Sequence, residues 1–208
     1  MATTSYDYNV FVNCPFDADY AALFDAIVFA VHDCGFVARC ALEVDNSAQV
    51  RIDKLFDIVS ECRYGIHDIS RTELDDINGL PRFNMPLELG MFLGARRFGR
   101  GRQREKACLV LDKERFRYQK FCSDIAGQDI KSHDGDVRKA VRVIRDWLRS
   151  APAAREVRLP SGKKIFERYE GFLVDLPDLC EELDLEPDEL IYNDYTTLVV
   201  EWLRKHAS

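Results

Sequence analysis

The sequence predicts an α/β protein: a three-layer, flavodoxin-like or Rossmann-like parallel sheet of about five strands with a C-terminal helical appendage. Two observations lead there. Apolar runs of strand length alternate with stretches of helical periodicity over residues 1–150. Strands and helices alternating in this way imply right-handed βαβ crossovers and a sheet covered on both faces. A composition break with two Pro and a Gly, "RSAPAAREVRLPSGKK" at 149–164, then precedes further helical stretches. The division is therefore an α/β domain over 1–150 and, over 151–208, a linker and helical extension packed on it. The extension is too short to carry its own core.

Each element follows in order. "YNVFVNCPF" (8–16) is rich in Val and Phe, ends at a Pro and reads as a buried strand. Over 18–33, Ala22, Leu23, Ala26, Ile27, Ala30 and Val31 recur at helical spacing, and Gly35 supplies the stop. "FVARCAL" (36–42) is a second strand. Residues 51–62 form a helix through Ile52, Leu55, Phe56, Ile58 and Val59. "YGIHDIS" (64–70) is a third strand. An irregular stretch with Asn-Gly and Leu-Pro turn signals follows. A helix runs from Pro86 to about Arg97, "KACLVLDK" (106–113) is a fourth strand, and "QDIKSH" (128–133) is a short fifth. Residues 137–148 are amphipathic, with Val137, Val141, Ile144 and Leu148 on one face. Beyond the break, 165–176 and 195–205 read as helices, and the helical pair is expected to pack on the sheet.

Bulk properties exclude several classes of function. With 47% apolar and 31% charged residues the chain is not a disordered one. The net charge of −7 opposes general nucleic-acid binding, and the basic run "RRFGRGRQREK" (96–106) reads as a solvated loop. No apolar stretch is long enough to span a membrane, and the N-terminus lacks a secretion signal. Seven scattered Cys without a CxxC pair fit a reducing cytoplasm. The four His show no metal-ligand spacing, so no zinc site is expected.

Sheets of this kind bind ligands at the carboxyl ends of their strands, where strand order reverses. The first strand brings Asn13, Pro15, Phe16 and Asp17 to that rim; the second ends near Glu43; the third brings His67, Asp68 and Ser70. The following loop delivers Arg82, Phe83, Asn84 and then Glu88. Each has a structural explanation: Asp17 as the cap of the first helix, Glu88 as a first-turn acid on the helix dipole. Together they point to a site. In "FNMPLELG" (83–90), Pro86 suits the first turn and Asn84 is placed to cap it. Gly90 and Gly94 cost helix stability, which suggests a helix seated against neighbouring backbone. The dipole would then hold Glu88 ionised, as a nucleophile or cation stabiliser requires.

The third strand's polar end, the variable loop and the helix "LELGMFLGA" resemble nucleoside 2-deoxyribosyltransferase-like proteins, relatives of Toll/interleukin-receptor (TIR) domains with NAD-cleaving activity. The resemblance covers roughly residues 8–148, with motif support over 64–95. It implies that Glu88 is the essential carboxylate and that Asp68 holds sugar hydroxyls. It also implies a role in bacterial defence against phage, with assembly into a homo-oligomer or onto a defence partner. "NCPFD" and "HDISRTELD" depart from the usual motifs of both families.

Cleavage of a ribose C1′–N bond passes through an oxocarbenium-like state that a carboxylate can stabilise or capture. In that reading Glu88 is catalytic. Phe16 or Phe83 stacks on the base, Asn13 hydrogen-bonds it, Arg51 or Arg82 holds a phosphate, and Ser70 and Asp17 line the rim. NAD+ would be a substrate and no cofactor is needed. Nicotinamide leaves without a proton, whereas a base leaving a neutral nucleoside wants one, and only His67 or Asp17 offers a second acid; this favours NAD+. A nucleoside or nucleotide 2-deoxyribosyltransferase, and a non-catalytic nucleotide-sensing or assembly module, are the alternatives.

Overall fold

The computed structural model describes residues 6–74, 79–155 and 158–206. Five strands, β1 (Asn9–Asn13), β2 (Val37–Arg39), β3 (Tyr64–Asp68), β4 (Ala107–Asp112) and β5 (Lys131–Ser132), form one sheet in the order β2-β1-β3-β4-β5. All four pairings are parallel, and β1 meets β3 from Val10↔Tyr64 to Asn13↔His67. The helices are α1 (Ala21–Asp33), α2 (Arg51–Glu61), α3 (Asn84–Phe98), α4 (Val137–Leu148), α5 (Gly162–Glu182) and α6 (Tyr192–Lys205). This is the predicted flavodoxin-like architecture. Strand order reverses beside β1, so the crevice lies at the carboxyl ends of β1 and β3.

Side-chain parity assigns the two faces of the sheet. Val10, Val12, Tyr64, Ile66, Leu109 and Leu111 point to α1 and α4. Phe11 packs with α2 and with Phe92 of α3, while Val110 joins Met85 and Leu89 of α3. On that second face Gly65 lies under Phe92 and His67. A Cβ there would fall 2.6 Å from His67 Nε2 and 3.0 Å from the Phe92 ring, so only hydrogen fits.

The strands are shorter than their apolar runs. β1 stops before Pro15, which has no N–H for a ladder. β2 keeps three residues because the chain turns at once, with the Glu43 N–H donating to the Cys40 carbonyl. α5 runs six residues past the expected end, through Pro177, which sits on an exposed stretch of the helix. The basic run is not simply a loop: Arg96 and Arg97 close α3, Gly101–Glu105 forms a short 3-10 turn, and Lys106 is buried. The Asn-Gly turn signal begins at Asn78, outside the described residues.

The extension packs on the helical layer rather than on the sheet. Ala26, Ile27, Val28, Phe29, Ala30 and Val31 of α1 are all 0% exposed. A helix apolar on every side must be covered on every side. The sheet covers one side, and Tyr169, Phe172, Leu198, Val199 and Trp202 of α5 and α6 join the same core from the other. Phe29 alone meets Tyr169, Phe172 and Trp202 ring to ring. α6 reaches the sheet at its edge, where the Tyr192 hydroxyl donates to the Ala38 carbonyl. No helix among the described residues is long and apolar enough to cross a membrane.

Candidate functional site

At the carboxyl end of β1, the Asn13 amide donates to the Met85 carbonyl at 2.9 Å and contacts His67 Nδ1 at 3.0 Å. These bonds tie β1, β3 and the first turn of α3 together. Asn13 is buried, so it is a brace for α3 and not a free hydrogen-bonding group. His67 is fully buried against Phe11 and Phe92, and burial drives its pKa down to about 3, with Lys106 adding to the effect. A neutral imidazole sealed in this way supplies no proton to a leaving group, which removes His67 as the second acid.

The brace sets Glu88 one turn into α3. The side chain is 7% exposed, and among the described residues its carboxylate makes no hydrogen bond. Its oxygens are not among the sealed polar atoms that lack a partner, unlike Nε2 of His67. Burial pushes the Glu88 pKa up to about 7, and the Arg51 guanidinium at the start of α2 pulls the other way. The expectation of a dipole-ionised carboxylate is thus corrected. The dipole acts within the first turn, Glu88 lies just past it, and desolvation wins.

Two further expectations about α3 change. The cap position is Phe83, without a side-chain hydrogen bond, and Asn84 is the exposed first helical residue. A Cβ at Gly90 or Gly94 would meet nothing within 4 Å, so these glycines do not seat the helix; Asn13, Leu89 and Phe92 do.

Cys14, the residue after β1, is buried. Its thiol is pushed well above the usual range by burial, then by the nearby Asp68, Cys40, Glu88 and Asp17. These residues follow or end β1, β2 and β3 or lie in α3. Asp17 does not cap α1, whose N-cap is Tyr20. Its carboxylate stands 3.4 Å from Arg71 and 3.8 Å from Arg82. Phe16 lies at the rim, edge-on to Phe24 at 5.2 Å, and Phe83 is 63% exposed. Arg51 is exposed and makes no hydrogen bond or ion pair among the described residues.

Asp68 plays a different part from the one expected. It is fully buried, and both oxygens are engaged. Oδ1 accepts from the Ser70 N–H at 2.8 Å and Oδ2 from the Tyr20 hydroxyl at 2.5 Å. His133 Nε2 stands 3.0 Å from Oδ2, in contact but off the line of a good hydrogen bond. The Gly135 N–H donates to His133 Nδ1, which leaves the ring proton on Nε2 in the neutral form. Asp68 therefore knots the ends of β3 and β5 to the entry of α1. Ser70 lies in the same knot.

Tyr20, His133, Cys14 and Arg71 were not singled out from sequence. His133 closes the fifth strand run, so the strand-end rule could have found it. Tyr20 carries no sequence signal, because its role depends on how α1 enters the fold. No group of three or more His, Cys, Asp or Glu among the described residues is placed to hold a metal. No family model, no curated protein and no solved structure matches the chain.

Volume alone does not mark a site here. A cleft of about 1040 Å³ lies between the β2 edge and α6, lined by Asn9, His32, Arg39 and Val200 among others. The buried polar atoms in its wall that lack partners, Asn9 Oδ1 and His32 Nε2, are sealed from solvent. Glu88 is the reverse case: an unpartnered carboxylate at the crevice where this fold binds ligands.

Proposed function

We propose that the protein cleaves the N-glycosidic bond of NAD+ or a related nucleotide, as an NAD glycohydrolase or ADP-ribosyl cyclase does, with Glu88 as the catalytic carboxylate. One observation carries this reading. Glu88 is nearly buried, has no hydrogen-bond partner and lies within the field of Arg51 at the β1/β3 crevice. A desolvated carboxylate left without a protein partner costs stability, and a cationic transition state would supply the missing partner. As the C1′–N bond opens, positive charge grows on the ribose ring, and ionised Glu88 stabilises or captures it. Phe16 or Phe83 would stack on the base. The seven free thiols suit a reducing cytoplasm.

The test is chromatography of NAD+ and a nucleotide panel incubated with wild type, Glu88→Gln and Glu88→Ala. Wild type is expected to consume NAD+ or a nucleotide, and each variant to lose at least about 100-fold in rate, the scale of losing one transition-state contact. Wild type at high protein concentration that consumes nothing overturns the reading.

The pKa of about 7 also favours a second reading, in which protonated Glu88 acts as general acid on a departing base in nucleoside or nucleotide transfer. The two readings predict opposite pH limbs. A cation stabiliser gains rate as pH rises through about 7; a general acid loses it.

A further inference from the structure

We propose that the unfilled half of the β4 edge is a docking groove for an extended segment of a partner polypeptide, which joins the sheet as a strand where β5 stops short. This is a second surface, and it stands apart from the reading of Glu88.

Three hydrogen bonds fix which residues of β4 face which neighbour. On the β3 side, the Ala107 N–H donates to the Arg63 carbonyl and the Leu111 carbonyl accepts from Ile69. On the β5 side, the Asp112 carbonyl accepts from His133. Odd-numbered residues of β4 therefore bond to β3, and even-numbered ones face outward. β5 is two residues long and pairs only with Leu111 and Asp112. The N–H and carbonyl of Cys108 and the N–H of Val110 are left facing outward, with no hydrogen bond among the described residues. Val110 is 4% exposed, so little of it meets water. An unpaired main-chain group in such a place costs free energy that another backbone removes. The opposite edge of the sheet differs: there the Tyr192 hydroxyl occupies the Ala38 carbonyl.

Cys108, Leu109 and Val110 also line a groove of about 500 Å³ between β4, the approach to β5 and α4. At the rise of a strand these three residues span roughly 10 Å. Paired strand residues carry their side chains to the same face of a sheet. Leu109 faces the α4 side, so a partner residue opposite it meets Val143 and Trp147, the half-buried apolar wall of the groove. Charge narrows the occupant further. Asp129 and Lys131 in the lining neutralise each other at 2.7 Å. Asp146 of α4 is exposed and meets Arg145 through Oδ1 alone, so that wall is acidic at its rim. An extended segment with an apolar residue beside a Lys or Arg fits this chemistry. Main-chain bonds to β4 give affinity, and the α4 wall gives selectivity. Gln128 and Ile130, which lead into β5, stand where the sheet edge of a second copy would have to enter, and a single chain is narrower.

The test is amide hydrogen exchange by NMR on the full chain, alone and with three capped hexapeptides that alternate valine with lysine, threonine or glutamate. In the protein alone, the Cys108 and Val110 amides are expected to exchange at least about 10-fold faster than those of Leu109 and Leu111, which the β3 ladder holds. Saturating lysine peptide should slow both by at least about 10-fold. The glutamate peptide should bind about 3-fold more weakly than the lysine peptide, the scale of an exposed ion pair. Asp146→Lys, at an exposed position, should reverse that preference. Val143→Asp should abolish binding in a protein that keeps its cooperative thermal transition. An N-methylated lysine peptide, which lacks main-chain donors, should not bind. The proposal is overturned by Cys108 and Val110 amides that are already slow in dilute protein, or by no binding of any peptide. Binding that leaves those amides unprotected, survives N-methylation or ignores the charge of the peptide overturns it too. Slow exchange that appears only at high protein concentration assigns the edge to a second copy and overturns it as well.

Discussion

Glu88 has a raised folded-state pKa, and the sign of its effect on stability follows from that. The folded state binds more protons than the unfolded chain between pH 4.5 and about 7. Stability contributed by this residue is therefore full at low pH and falls as pH rises through that window. Holding the ionised carboxylate at pH 8 costs on the order of 3 kcal/mol. Glu88→Gln should accordingly raise the melting temperature by several degrees at pH 8 and by little at pH 4.5, as differential scanning fluorimetry at the two pH values will show. A residue that lowers stability where it would be active is the signature of a functional group. Arg51 opposes the shift, so Arg51→Ala should move the midpoint of the pH–rate profile upward from about 7. An unmoved midpoint would separate the two residues.

At the scale of elements, α3 is held at one end and free along its back. Its braces are the Asn13 amide on the Met85 carbonyl and the packing of Leu89 and Phe92. Gly90 contributes nothing to seating, since its Cβ position is open. Gly90→Ala should stabilise the protein by up to about 1 kcal/mol in urea denaturation, with the site intact. Gly65→Ala, only a strand away, should do the opposite and cost about 1–3 kcal/mol, because Phe92 and His67 leave no room. α2 is anchored from the end opposite Arg51. Lys106, 2% exposed, donates to the Val59 carbonyl at 2.5 Å and to that of Cys62. A buried cation on the last carbonyls aligns with the dipole and satisfies acceptors that the helix end leaves open. Burial lowers its pKa to about 8.

At the scale of the whole molecule, the composition break near residue 150 does not mark where the core ends. α1 has no polar face over Ala26 to Val31, and α5 and α6 form its outer wall. Removing residues 156–208 would bare Phe29 and its neighbours, each worth roughly 1.5–3 kcal/mol of burial. The truncated chain is expected to be insoluble or molten, read by loss of a cooperative thermal transition. A soluble, cooperatively folding 1–155 fragment would show that the extension is dispensable. The extension touches the sheet at the β2 edge, where the Tyr192 hydroxyl donates to the Ala38 carbonyl.

By itself the sequence determined the sheet and the residues at the carboxyl ends of its strands, because period-2 and period-3.6 patterns are local and parallel crossovers have one hand. It also placed Asn13, Asp17, Asp68 and Glu88 at one end of the sheet, since strand ends follow from strand limits. The tertiary structure alone decided what those groups are for. Asp68 lost its free oxygens to Tyr20, Ser70 and His133, and Asn13 became a brace. His67 was sealed against two rings, and Glu88 was left desolvated without a partner. Hydrogen-bond partners and desolvation come from segments distant along the chain, and no local pattern encodes them.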